Sequence, residues 1–244
     1  MIRQAASLGT DKQPERISSM FDAIAHRYDL LNRLLSGGLD ILWRKNAIRA
    51  LNLRAGETVV DLCTGTGDLA IEAIHSGAGR VVGLDFSGEM LRFGAKKLAR
   101  RSLGTRVRLV QADAMHIPLK DVSADAATVA FGIRNVEHPE QACADLFRVL
   151  RPGGRFAILE FGIPPNPLIR RAYLWYFHHI LPRVGRLISG HTSAYTYLPA
   201  SVSSFPEPPR LSALLENVGF RAVRAVPLTF GVVYLYVARK PPLH

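Results

Sequence analysis

The chain reads as an α/β protein: a doubly wound, mostly parallel seven-stranded sheet with an antiparallel hairpin at one edge. Three observations predict this class. Five apolar runs of strand length alternate with helical segments between residues 57 and 162. The first run ends in a glycine-rich turn, and the last two runs follow one another directly around Gly231. Near-continuous apolar strands separated by helices need a parallel sheet covered on both faces.

The elements follow in order. Residues 1–13 are polar. From Pro14 to about Leu53 the pattern is helical: Pro14 suits a first helical turn, and Ile17, Met20, Phe21, Ile24, Tyr28, Leu31 and Leu35 recur at three and four residues. Gly37-Gly38 ends this helix, and a second starts near Asp40. Residues 1–53 are read as a helical cap and 54–244 as the main domain. Its strands are placed at 57–63, 80–87, 106–113, 124–132 and 155–162, and its helices at 68–77, 88–102 and 139–154. A short helix at 211–220 precedes the two hairpin strands. Residues 163–206 interrupt the alternation. They are too long and too aromatic for a simple connection, and are read as a helical insertion over the carboxyl ends of the strands.

Composition narrows the classes. The 244 residues are 48% hydrophobic and 21% charged, and can bury a core without staples. Cys63 and Cys143 have no metal or redox spacing, so no metal site is expected and a reducing cytoplasmic setting fits. The N-terminal stretch is no secretory signal, and no apolar run reaches membrane-spanning length. The net charge of +11 favours an anionic partner, whether a membrane surface or a charged substrate, or serves solubility alone. No zinc finger, RNA-binding aromatic motif or repeat accompanies that charge, so nucleic acid is not an expected partner.

The first strand runs into Asp61-Leu62-Cys63-Thr64-Gly65-Thr66-Gly67-Asp68. Gly65 and Gly67 let the backbone pass close to a ligand, and the following helix offers free N–H groups. Asp85 ends the second strand, where a carboxylate accepts ribose hydroxyls. Gly65-x-Gly67-x-x-Ala70 also satisfies the loose dinucleotide pattern, so an NAD-dependent oxidoreductase is one reading. Three features favour S-adenosylmethionine: Asp61 before the glycines, Asp113-Ala114 after the third strand, facing an adenine, and the edge hairpin. The alternative for Asp61, Asp85 and Asp113 is helix capping.

Larger motifs resemble the ubiquinone/menaquinone biosynthesis C-methyltransferase family over about 14–240. Phe21-Asp22, Tyr28-Asp29-Leu30-Leu31-Asn32, Ser36 and Trp43-Arg44 are similar to its first signature. Arg148-Val149-Leu150-Arg151-Pro152-Gly153-Gly154 with Leu159-Glu160 is similar to its second, and Phe131-Gly132-Ile133-Arg134-Asn135-Val136 to its most distinctive internal run. The family usually has His or Gln at Asp40, Lys at Arg151, Ser at Gly162 and Ser at Ala130. The run Ser193–Pro199 with Ser201 looks like the menaquinone-only members. The resemblance implies S-adenosylmethionine contacts at Thr66, Asp85, Asp113 and Ala114. It also implies methylation of a ring carbon on a prenylated quinol, with Arg134 and Asn135 acting through a water.

An arginine does not readily accept a proton, so Arg134 is expected to stabilise phenolate charge, with Asn135 positioning water or phenolate. Pairing of Arg134 with Glu137 or Glu160 is the alternative. Asp29 is placed to relay a proton, and Tyr28 and Asn32 to close the site, unless these three simply pack the cap helix. His178, His179 and His191 are read as structural. The same fold acting on another lipid or small aromatic, and a non-enzymatic basic module, stay open as rival functions. Segment 167–190 combines Tyr173, Trp175, Tyr176 and Phe177 with Arg170, Arg171, Arg183 and Arg186. It is read as a docking face for an anionic membrane, or as packing over the site or against a second copy in a homodimer.

Overall fold

The computed structural model describes residues 14–181, 183–184 and 193–242. Seven strands form one sheet: β1 (Thr58–Leu62), β2 (Arg80–Asp85), β3 (Val107–Gln111), β4 (Ala124–Ala130), β5 (Leu150–Phe161), β6 (Arg221–Leu228) and β7 (Val233–Arg239). Their order is β3-β2-β1-β4-β5-β7-β6. The pairs among β1 to β5 are parallel, and β7 runs antiparallel to β5 and to β6. The expected class, the strand count and the hairpin about Gly231 are all met. β1 is buried along its whole length, as its unbroken apolar pattern requires.

The sheet is covered on both faces. Helices α3 (Leu39–Leu51), α4 (Asp68–His75) and α5 (Gly88–Arg100) pack on one, around Trp43, Ile48, Leu51, Leu69 and Leu98. On the other, α6 (Pro139–Val149) and the helix Pro208–Val218 bury Leu146, Leu211 and Leu215 against Phe156 and Phe220. Between the fifth strand and that last helix come α7 (Pro167–Trp175), which continues as a π turn over Tyr176–Ile180, and α8 (Ser193–Ser204). The helix Pro208–Val218 is therefore α9.

Two predicted elements change. The first helix is not continuous: α1 (Pro14–Ile24) and α2 (Tyr28–Leu35) are separated by a tighter turn over Ala25–Arg27. Periodicity cannot distinguish one helix from two in near register. Tertiary contacts decide, because Asp22 of α1 must reach Ser87 at the start of α5 while Asp29 of α2 must reach Lys97 further along it. The helix expected over 139–154 stops at Val149, and the chain pairs with the sheet from Leu150, with Gly153 at φ +78° making the bend.

A third cluster joins α1, α2, α7, the π turn and α8 through Ile24, Leu31, Tyr173, Phe177, Leu181 and Val202. It lies outside the two sheet layers and forms a lid. Helix α3, placed by sequence in the cap, packs instead on β4, β5 and β7.

Candidate active site

The carboxyl ends of β1, β2 and β4 converge on the glycine turn. Gly65 and Gly67 take left-handed φ of +56° and +82°, which a side chain would strain. Gly65 N–H donates to Asp85 Oδ2 at 2.7 Å, and Ser87 N–H to Asp85 Oδ1 at 2.9 Å. Asp85 thus holds the turn and keeps lone pairs for a ligand. Burial pushes its carboxyl above the usual range, against the two backbone donors. Across the turn, a Cβ on Gly132 would stand 2.3 Å from Cys63 Cβ, so only glycine lets β4 leave the sheet here. Cys63 and Phe131, just past the ends of β1 and β4, share left-handed φ values of +54° and +57°. Two of the strained backbone positions thus lie at this edge.

The result is a cavity walled by Asp85, Phe86, Met90, Asp113, Ala114 and Gly132, with Tyr28 and Asn135 at its inner end. Asp113 Oδ1 accepts from Met115 N–H at 2.9 Å, which turns the carboxylate toward the chain following β3. The walls of this cavity are largely apolar, with Met90 and Phe86 among them and a carboxylate, Asp85 or Asp113, at each of two strand ends.

A second cavity, about 280 Å³, lies under the lid. Tyr28, Phe21 and Phe131 line both spaces and form the partition. The second chamber is mostly aromatic and aliphatic, with Trp43, Phe161, Tyr173, Phe177 and Leu181 in its wall. The rings interlock: Phe131 and Phe161 lie 4.6 Å apart, Tyr173 and Phe177 4.3 Å. Arg134 enters this wall. Its Nη1 donates to Glu160 Oε1 at 2.7 Å and to the Phe131 carbonyl at 2.6 Å, and its guanidinium lies 5.4 Å from the Phe161 ring centre. Glu160 is completely buried and its carboxyl is pushed up by burial, against the pull of Arg134. Two buried donors of this wall have no protein partner, Arg134 Nε and Tyr173 Oη. Unsatisfied buried donors are uncommon and costly. Burial raises the phenols of Tyr28 and Tyr173, keeping both protonated at neutral pH.

The residues singled out by sequence fall into three groups. Gly65, Asp85, Asp113, Ala114, Tyr28 and Asn135 line the first cavity, and Arg134 lines the second. Asp61 lies beneath the turn, 1% exposed, and accepts from Thr64 Oγ1 at 2.6 Å and Thr128 Oγ1 at 2.8 Å. Burial raises its carboxyl to about 6. Asp29, Thr66 and Gly67 line neither cavity. Lys97 Nζ donates to Asp29 Oδ2 at 2.6 Å, Asp68 Oδ1 at 2.7 Å and Thr66 Oγ1 at 2.9 Å, and Thr66 Oγ1 donates to Asp29 Oδ1 at 2.6 Å. Burial raises the Asp68 carboxyl, but Lys97 and Arg44 outweigh it and hold it low. Asp29 therefore straps the lid to the glycine turn on the side away from the chamber. Of the two alternative partners for Arg134, Glu160 is the one it meets. Sequence reading missed Lys97 and Phe161, and named Tyr173 only within segment 167–190, as membrane-facing or as packing over the site; it is in the chamber wall. His178 and His179 are exposed, while His191 and Arg186 lie outside the described residues. No group of side chains able to hold a metal ion occurs among the described residues.

Comparison with known proteins agrees with this geometry. The model of the ubiE/COQ5 methyltransferase family matches residues 9–240. The chain is 46% identical over 223 residues to a demethylmenaquinone methyltransferase of Thermus thermophilus, covering 91% of this chain and 100% of that one. It is 42% identical over 228 residues to the ubiquinone/menaquinone biosynthesis C-methyltransferase UbiE of Geotalea daltonii, covering 93% and 97%. Solved structures share the fold at low identity. The [4+2]-cyclase SpnF superposes with a TM-score of 0.70 at 16% identity, covering 95% of this chain and 97% of that one. A SAM-dependent methyltransferase from Thermotoga maritima gives 0.64 at 19%, covering 92% and 99%. A match along nearly the whole length, on a fold with a carboxylate at each of two strand ends, leaves one assignment: the chain belongs to the ubiE/COQ5 methyltransferase family and is an S-adenosylmethionine-dependent methyltransferase.

Proposed function

We propose that the protein methylates a ring carbon of a prenylated quinol, converting demethylmenaquinol to menaquinol. One observation carries the reading: an apolar aromatic chamber adjoins the donor cavity across Tyr28 and Phe131, with the buried Arg134 in its wall. Such a chamber suits a flat hydrophobic ring bearing a few oxygens. The names of the relatives in Thermus thermophilus and Geotalea daltonii support the same substrate class.

In this reading Asp85 and Asp113 hold the donor's adenosine, and Gly65 gives it room. When bound, the donor supplies an electrophilic methyl on a positively charged sulfur. The residues of the chain then have two tasks, alignment and charge. Arg134 and Tyr173 line the chamber and would hold the ring oxygens. A phenol releases its proton only near pH ~10 in water, so a guanidinium beside one oxygen favours the phenolate. That proton leaves through a water, because neither Arg134 nor the protonated Tyr173 accepts it. The phenolate would push electrons to the ring carbon, which would take the methyl as the methyl–sulfur bond breaks to leave a neutral thioether; the ring carbon's proton would then pass through water to the oxygen, restoring the aromatic quinol with net release of one proton. Phe131 and Tyr28 border both cavities, flank the place where the methyl and the ring carbon would meet, and exclude bulk water there. Asp29 serves as a strap in this scheme and relays no proton.

The chamber also bears on how a bilayer lipid reaches it. Segment 167–181 is two-faced: Tyr173, Phe177 and Leu181 face the chamber, while Leu168 and Trp175 are 80% and 58% exposed beside the exposed Arg170 and Arg171. Interface-seeking aromatics with arginines, and a net charge of +11, support peripheral docking on an anionic membrane. No helix among the described residues is long and apolar enough to cross one.

The function is tested by incubating the protein with labelled S-adenosylmethionine and demethylmenaquinone, reduced or oxidised. Labelled menaquinol from the reduced lipid alone is expected; equal rates with the quinone, or no labelled lipid, refutes it. Co-sedimentation with vesicles tests docking. Binding that follows anionic lipid content and weakens in Arg170→Glu/Arg171→Glu is expected, and indifference to both overturns it.

A further inference from the structure

The insertion reaches the reaction centre through one hydrogen bond. Tyr197 Oη, on α8, donates to Asn135 Oδ1 at 3.2 Å, across 62 residues of sequence. Tyr197 lines the quinol chamber and Asn135 lines the donor cavity. The bond therefore joins the lid to the short turn Ile133–Asn135 that leaves β4. Its neighbour on that turn is Arg134, which is locked separately by Glu160 and the Phe131 carbonyl.

The chemistry of an amide gives this bond a consequence. A primary amide offers one acceptor oxygen and one NH2 with two donors. With Oδ1 turned to Tyr197, the group left for the ligand side is the NH2. A freely rotating Asn135 presents either end to the reaction centre; a held one presents donors only. We propose that Tyr197 is a positioning residue that fixes the Asn135 side chain with its NH2 toward the reacting ring. There Asn135 donates to the phenolate oxygen or to the water that carries the phenol proton away. Burial raises the Tyr197 phenol, aided by Glu160 and opposed by Arg134, so its hydroxyl stays a donor through the working pH range. The bond thereby couples α8 to the turn that carries Arg134 and Asn135. The run Ser193–Pro199, noted in the sequence without a role, thereby acquires one at Tyr197.

The inference rests on the quinol reading above, and the experiment separates the two. Wild type, Tyr197→Phe, Asn135→Ala and the double variant are assayed for methylation of reduced demethylmenaquinone, with donor affinity measured by calorimetry on each. Tyr197→Phe is expected to lower kcat about tenfold, the loss from one well-placed hydrogen bond, with donor affinity and quinol KM within about twofold. In the Asn135→Ala background the same change is expected to do nothing further, because its effect passes through Asn135. Asn135→Asp, which replaces the donor NH2 with a second carboxylate oxygen, is expected to lower kcat about a hundredfold or more. An undiminished tenfold loss from Tyr197→Phe in the Asn135→Ala background overturns the positioning role, as does wild-type kcat in Tyr197→Phe. Full activity of Asn135→Asp overturns the assigned orientation. Inactive wild type with intact donor binding refutes the quinol reading instead.

Discussion

Glu160 and Arg134 form an ion pair at 2.7 Å inside the protein, with side chains 0% and 7% exposed. The pair comes from adjacent strand ends, β4 and β5, and fixes a guanidinium in the chamber wall. Its two members are not equivalent when the other is lost. A carboxyl already raised by burial sheds its charge by taking a proton, whereas a guanidinium does not. Glu160→Gln is therefore expected to destabilise the fold by about 3 kcal/mol, more than Arg134→Met does, because it strands a buried charge. Urea denaturation of both variants at pH 7 checks the order. Arg134→Met is expected to abolish most turnover at saturating substrate with little change in donor affinity.

Asp85 links the glycine turn to the donor. Its two oxygens already accept from Gly65 and Ser87, so Asp85→Ala removes ligand contacts and loosens the turn together. Donor affinity is expected to fall tenfold or more, at about 1.4 kcal/mol for charged hydrogen bonds. Calorimetry on the folded variant measures it; unchanged affinity removes Asp85 from the site.

Asp61 predicts a pH dependence of stability. Burial raises its folded carboxyl from 3.8 to about 6, so the unfolded chain ionises first. The group favours the fold below about pH 4, and that advantage is lost as pH rises through 6. Asp61→Asn carries no charge to bury. The stability of the variant relative to wild type is expected to rise by roughly 2 kcal/mol between pH 4 and pH 8. Denaturant midpoints at the two pH values give the difference, and a flat one contradicts it.

Asp29 and Lys97 should behave as one strap. Asp29→Asn and Lys97→Met are each expected to weaken donor binding about threefold to tenfold, and the double variant no further. The pH–rate profile of Asp29→Asn is expected to keep the wild-type shape. A shifted limb would instead make Asp29 a proton carrier.

The sequence by itself determined the seven strands, their alternation with helices, the hairpin about Gly231 and the positions of Gly65, Asp85 and Asp113. Each is a local matter: strand patterns span five to ten residues, and a strand followed by glycines and a helix brings its end to the ligand edge whatever else the chain does. Arg134 and Asn135 were legible for the same reason, since they directly follow β4. The tertiary structure decided which polar groups meet. Lys97 on α5 reads as an ordinary exposed lysine, yet it draws Asp29, 68 residues away, off the chamber and into a strap. Tyr173 reads as an interface aromatic, yet its hydroxyl is buried without a partner in the chamber wall. Periodicity says which face of a helix is buried. It does not say which buried group lies opposite, because that follows from how α1, α2, α7 and α8 dock together, through contacts far apart in the chain.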